Sequence, residues 1–290
     1  MAEKKKKKSA DAGSTSSQME RLLAKATRTK SRAAKSAAQD LVYEAWEEED
    51  LERAMELFQR AADLDPTNVD AWLGMLEFAM VSADERIDLL RALVAMGEKN
   101  LGADFNEFKG HFWGFLETRP YMRARDMLAR ELAEGGRTAE AIGEHEAMLE
   151  LNPGDNQGVR YELVAAYLAE DRREDARKLI ARYDECTVTT VWAWAHVLER
   201  FLAGALGEAQ QALAVARLQN PHAEEYFLGR KKMPKTLPNR YGLGSREEAQ
   251  IARDTLRMAL ARHPKFVAWL RSELKHSASE PHPGDFRIVP

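Results

Sequence analysis

His111, Glu117, Arg119 and Arg123 fall within 13 positions of one another. A histidine beside a carboxylate can exchange a proton with a substrate, and forked guanidiniums can hold a carboxylate or a phosphate. Such chemistry requires the four side chains to converge in a pocket. The surrounding stretch, LGADFNEFKGHFWGFLETRPY at 101–121, also carries Phe105, Phe108, Phe112, Trp113, Phe115 and Tyr121. The aromatics offer a plainer reading, in which the rings pack beneath the segment while Glu117 and Arg119 pair at its rim. Between these readings lies a non-catalytic partner site built from Trp113, Glu117, Arg119, Tyr121 and Arg123.

A second cluster follows Pro153: Asp155, Asn156, Gln157 and Arg160. Asp155 or Asn156 can cap the next helix by accepting backbone N–H bonds. Asn156 and Arg160 are also candidates for a partner-binding surface. Arg160 could act with Arg123 and Arg130 as an anion holder. Replacing Arg123 and Arg160 together by Ala is then expected to weaken partner binding and leave the melting temperature nearly unchanged.

A third cluster is the basic segment GRKKMPKTLPNRYGLG at 229–244, with Arg230, Lys231, Lys232, Lys235 and Arg240. Lys231 and Arg240 are its candidate contact residues. Gly242 and Gly244 match no phosphate-cradling pattern. Ser245 and Glu248 have the spacing of a capping box, which accounts for a helix start there. His145 and Glu146 lack the HExxH spacing of a zinc site. Cys186 reads as a small residue between repeats, and Trp72, Trp192 and Trp194 read as core. No catalytic, metal or cofactor site is assigned.

These residues need a scaffold, and four Ala-to-Pro intervals of twelve positions supply it: Ala54/Pro66, Ala141/Pro153, Ala209/Pro221 and Ala252/Pro264. Pro153 to Pro221 is 68 positions, twice 34. A 34-residue period of small Ala, a bulky apolar residue and a closing Pro resembles tetratricopeptide helix pairs. The expected repeats run over about 35–68, 69–102, 122–155, 157–189 and 190–223, then a last pair ending at Pro264 and a terminal helix over 265–275. The predicted fold is all-α: a tetratricopeptide-type helical-hairpin solenoid, a right-handed superhelix of about five to six helix pairs. Pro66 to Pro153 is 87 positions, about 19 beyond two repeats, and Pro221 to Pro264 is 43, about nine beyond one. Insertions are therefore placed near 101–121 and 229–244, where such insertions often line a binding face.

FWGFLETRPYMRAR, LNPGDNQGVRY and EYFLGRKKMPKTLPNRYGLGSREEA resemble blocks of the suppressor-of-tumorigenicity-seven family and its soluble bacterial-type relatives. The resemblance spans about 40–272 and implies helical repeats. Animal members of that family look membrane-anchored. No run of 18 apolar residues occurs in this chain, so no membrane role is expected. The resemblance supplies no catalytic residues.

Charge is unevenly spread. Residues 1–40 carry 11 Lys/Arg against 4 Asp/Glu, and the rest of the 290-residue chain 32 against 43. Residues 1–34 read as a disordered basic tail and 276–290 as a flexible tail, flanking a repeat domain over 35–275. A helix over 18–37 that forms on contact is a further expectation. One cysteine and the polar stretch SADAGSTSSQ point to a cytoplasmic protein without a secretory signal. The function read from this is a non-enzymatic protein- or peptide-binding scaffold. The rival is a nucleic-acid- or ribosome-associated protein led by Lys4, Lys5, Lys6, Lys7 and Lys8, whose RNA binding would vanish on deleting 1–20. An enzyme with a site at His111 and Glu117 ranks third.

Overall fold

The computed structural model describes residues 31–279 and is all-α, its helices packing pairwise against their neighbours. The Lys4–Lys8 cluster, most of the expected 18–37 helix and residues 280–290 lie outside the described residues. The chain divides into two compact units, one ending at Val159 and one beginning at Arg160.

The first unit holds three helix pairs: α1 (Arg32–Glu47) with α2 (Leu51–Leu64), α3 (Val69–Phe78) with α4 (Ala83–Leu101), and α6 (Arg119–Glu134) with α7 (Thr138–Leu151). The starts of α1 to α4 are set by side chains that accept the free N–H groups of the first turn. Ser31 Oγ accepts from Ala34 N at 3.2 Å, Asp50 Oδ1 from Glu52 and Arg53 N, and Asn68 Oδ1 from Ala71 N at 2.9 Å. The Ser31 cap starts α1 at Arg32, three residues ahead of the expected domain start at 35. Ser82 and Glu85 form a reciprocal capping box on α4. Ala54, Ala61 and Phe58 are buried, and Gly74 of α3 lies against the Phe58 ring.

The expected insertion near 101–121 is the segment between α4 and α6. It forms a short helix, α5 (Asp104–Phe108), then two 3₁₀ turns at Phe112–Gly114 and Leu116–Thr118. Arg119, Pro120 and Tyr121 already belong to the first turn of α6, where Pro is at home because its missing N–H would be unpaired anyway. Phe105 meets Phe112 and Tyr121 edge-on at 5.0 and 5.6 Å, and Phe108 stacks on Phe115 at 4.0 Å. Gly110 N donates to Leu151 O at 2.8 Å and Lys109 pairs with Glu150, fastening the segment to the end of α7.

The second unit contains α8 (Val159–Ala169, its first residue closing the other unit), α9 (Arg173–Tyr183), α10 (Thr190–Leu202), α11 (Leu206–Gln219), a five-residue α12 (Ala223–Phe227), α13 (Arg246–Thr255), α14 (Arg257–Arg262) and α15 (Pro264–Ser279). Thus α8/α9 and α10/α11 are full hairpins, and the last pair is a truncated α12 facing a second helix broken at Leu256. Phe266 and Leu270 of α15 are buried, and Phe201 of α10 meets Phe266 and Trp269 at 5.4 and 5.2 Å. Helix α15 continues to Ser279, past the expected domain end at 275.

One turn recurs. Gly136, Asp171, Gly204 and Gly229 all have positive φ, from 58° to 77°. At each, the following N–H reaches back five residues: Arg137 to Leu132 O, Arg172 to Tyr167 O, Ala205 to Arg200 O and Arg230 to Glu225 O. This is the Schellman closure, which suits a residue free of a Cβ penalty or one, like Asp, that tolerates the left-handed region. The first three turns are 35 and 33 positions apart, as the period requires. The fourth comes 25 after the third, which marks α12 as a first helix of a pair shortened by about nine residues.

Candidate partner-binding groove

In the first unit, α1, α3 and α6 lie side by side and each gives one face to an open cleft of about 710 Å³. From α1 come Lys35, Gln39, Asp40, Tyr43 and Trp46, from α3 Asp70, and from the insertion and α6 Leu116, Glu117, Arg119, Tyr121 and Arg123. A smaller cleft of about 300 Å³ continues past Trp46 and Arg123 toward Leu73, Glu77, Met127 and Arg130. Trp46 and Arg123 stand on both, so the two clefts form one groove with a ridge.

The ridge is built from the inside out. Asp70 is fully buried, and Arg123 grips it with two bonds of 2.8 and 2.5 Å. Gln39 Nε2 donates to the same carboxylate at 3.2 Å, and Asn68 Nδ2 donates to Gln39 Oε1 at 3.1 Å. A buried carboxylate requires such partners, because leaving it alone carries a large desolvation cost. Held from below, the Arg123 guanidinium lies 5.0 Å over the Trp46 ring. Tyr43 sits 5.7 Å from Trp46, and both rings are 46% exposed. Two large, half-exposed aromatics beside a fixed cation are well suited to contact a partner's side chains.

The segment entering α6 is arranged differently. Arg119 Nε donates to Trp113 O at 3.2 Å, and its guanidinium lies 5.3 Å over the Trp113 ring. The expected Glu117–Arg119 pairing at the rim gives way to this Arg119–Trp113 contact, and Glu117 is exposed on the cleft wall. Tyr121 also lines the cleft but is only 2% exposed, so it presents almost no surface to a partner. Burial raises its pKa, opposed by Arg125, whose guanidinium lies 5.4 Å over the ring. His111 is exposed and stands outside the cleft lining, whereas Glu117 is part of it. The clustered acid–base pair read from the sequence is therefore not assembled at this cleft.

The remaining candidates are placed elsewhere. Asn156 is exposed and accepts from Asn152 Nδ2 at 3.3 Å, while Asp155 Oδ1 accepts from Val159 N at 2.8 Å. Arg160, in the second unit, pairs with Glu185 at 3.0 Å and lies over the Tyr161 and Tyr183 rings. Tyr161 donates to Glu185 at 2.7 Å; burial first and that bond second push its pKa up to about 12. Arg123 and Arg160 thus each hold a carboxylate of this chain. Their truncation would strand those carboxylates, so the expectation of an unchanged melting temperature does not survive. Lys231 pairs with Glu225 at 2.9 Å, and Arg240 is exposed. Burial and Asp184 raise the Cys186 thiol to about 11, far from a thiolate nucleophile at neutral pH.

Sequence reasoning missed Trp46 and Asp70. Both lie on the inner helices at positions a repeat register could have exposed. Their partners, however, are 77 and 53 positions away along the chain, beyond any local pattern. It also gave Glu248 only a capping role. Ser245 Oγ does accept from Glu248 N at 3.1 Å, but the Glu248 carboxylate turns away to accept from Gly244 N at 2.6 Å and Thr190 N at 2.8 Å.

Among the described residues no group of three or more His, Cys, Asp or Glu could hold a metal ion. None of their helices is long and apolar enough to cross a membrane. Residues 132–193, from the last turn of α6 into α10, match the tetratricopeptide repeat family model. No curated protein matches the chain.

Proposed function

We propose that the protein is a non-enzymatic scaffold whose first unit binds a peptide or protein segment along the groove of α1, α3 and α6. The observation that carries this is the Tyr43–Trp46 pair, half-exposed beside an Arg123 already fixed by Asp70. The tetratricopeptide repeat matched at 132–193 is typical of protein-binding arrays, which supports the same reading. The open cleft offers carboxylates, cations and rings together, a mixture suited to an extended chain with an apolar anchor. Membership of the suppressor-of-tumorigenicity-seven family, carried by the blocks quoted above, is part of the proposal and adds no chemistry to it.

Trp46→Ala is the test, because truncating Arg123 would also uncover a buried charge. A random peptide library is selected on the wild-type chain, and the winners are titrated against both proteins. Loss of about tenfold in affinity, with little change in melting temperature, is expected for a central aromatic anchor. Equal affinity for both proteins rejects the groove.

A further inference from the structure

We propose that the 229–244 loop of the second unit is a separate docking surface for an acidic, apolar-containing peptide segment. Among the described residues of the second unit, seven of the twelve arginines outside the loop pair with carboxylates of the same unit. Arg160 pairs with Glu185, Arg172 with Asp175, Arg177 with Glu199, Arg217 with Glu224 and Arg257 with Asp254. The loop departs from that habit. It holds five cations and no Asp or Glu. Lys231 is paired with Glu225, whereas Arg230, Lys232, Lys235 and Arg240 are exposed to solvent. Over residues 160–279 there are 20 Lys/Arg and 15 Asp/Glu, so the excess of five equals the loop's own charge. Five like charges within 11 positions repel one another, and an incoming anion relieves that repulsion.

The loop is also held in shape. At its start the Schellman turn at Gly229 closes onto Glu225 O, which accepts from Arg230 and Lys231 N at 2.8 and 3.2 Å. At its end Glu248 accepts from Gly244 N, and Asn220 Nδ2 donates to Ser245 O at 2.9 Å. Pro234 and Pro238 stiffen the middle. A structureless connection of this length inside a repeat is uncommon unless it has work to do, and pre-ordering lowers the cost of binding.

Three apolar side chains stand among the cations: Leu237, Tyr241 and Leu243, exposed by 39, 50 and 66%. This selects the partner's chemistry. A phosphate backbone would use the cations and stack bases on aromatics, but two of the three exposed residues are leucines, which gain nothing from phosphate. An acidic peptide with aliphatic or aromatic side chains satisfies both sets.

The inference does not depend on the groove reading, since it concerns the other unit. The test uses the full chain and three probes: a short labelled peptide alternating Asp/Glu with Leu and Phe, its Asn/Gln counterpart, and a single-stranded RNA oligonucleotide. The acidic peptide should bind, more weakly as salt rises, and its amide counterpart at least about tenfold more weakly. The triple variant Lys232→Glu, Lys235→Glu, Arg240→Glu should lose that binding, and Leu237→Ser with Leu243→Ser should lose about fivefold or more. All these positions are exposed, and matched melting curves exclude misfolding. Trp46→Ala should leave this binding intact; its loss would move the acidic peptide to the groove and overturn the assignment. Absence of binding, equal binding of the amide peptide, or tighter binding of RNA that ignores the leucine changes would each overturn it too.

Discussion

His145 sits on α7, 3% exposed, and neither ring nitrogen reaches a hydrogen-bond partner. Burial, and then the positive charge of Arg130, hold its pKa down to about 4. The neutral ring is the form the fold accepts, so the unfolded chain takes up the proton first. The contribution is whole above the unfolded value near 6.5 and is lost as pH falls toward about 4. The predicted loss is on the order of 3 kcal/mol of unfolding free energy across that window. Denaturant unfolding from pH 7 to pH 4 should therefore show a steeper acid loss in wild type than in His145→Leu. Parallel curves for the two proteins would place the proton elsewhere. In the sequence His145 and Glu146 are set aside as a metal pair because they lack HExxH spacing. Only the packing of α7 shows His145 as a buried neutral ring.

At the scale of elements, the fit between α2 and α3 rests on the absence of a side chain. A Cβ added at Gly74 would lie 2.4 Å from the Phe58 ring, which is itself buried. Gly74→Ala should cost about 1–3 kcal/mol through overpacking, even though alanine favours the helix by about 1 kcal/mol. A chemical denaturation midpoint that rises or stays put would contradict the packing described. The hairpins were legible because Ala, Phe and Pro recur at a fixed period, and each repeat must bury the same face against its neighbour. The register breaks were legible for the same reason, as lengths that the period could not absorb. What fills them was not. The sequence shows aromatics in 101–121, but only the geometry separates Tyr121, buried in the cleft lining, from Glu117, exposed on it. The short α12 was hidden because its closing turn at Gly229 uses the same signal as a full-length helix.

Across the molecule, charge is divided more sharply than the net value of −4 suggests. Residues 31–159 carry 13 Lys/Arg against 27 Asp/Glu, while residues 160–279 carry 20 against 15. The two surfaces proposed here follow that division. The groove lies in the acidic unit and relies on rings and an internally balanced arginine, whereas the loop concentrates the positive excess of the other unit. Each was only half visible in the sequence. Insertions and basic residues could be counted, but the pairing that frees some charges and commits others is a property of the folded chain. The most direct measurement is hydrogen exchange on the full chain, with and without a peptide selected for the wild type but not for Trp46→Ala. Slowed exchange in α1, α3 and α6 is predicted, with 229–244 unaffected. Protection confined to 229–244, or absent from the three inner helices, would contradict the account.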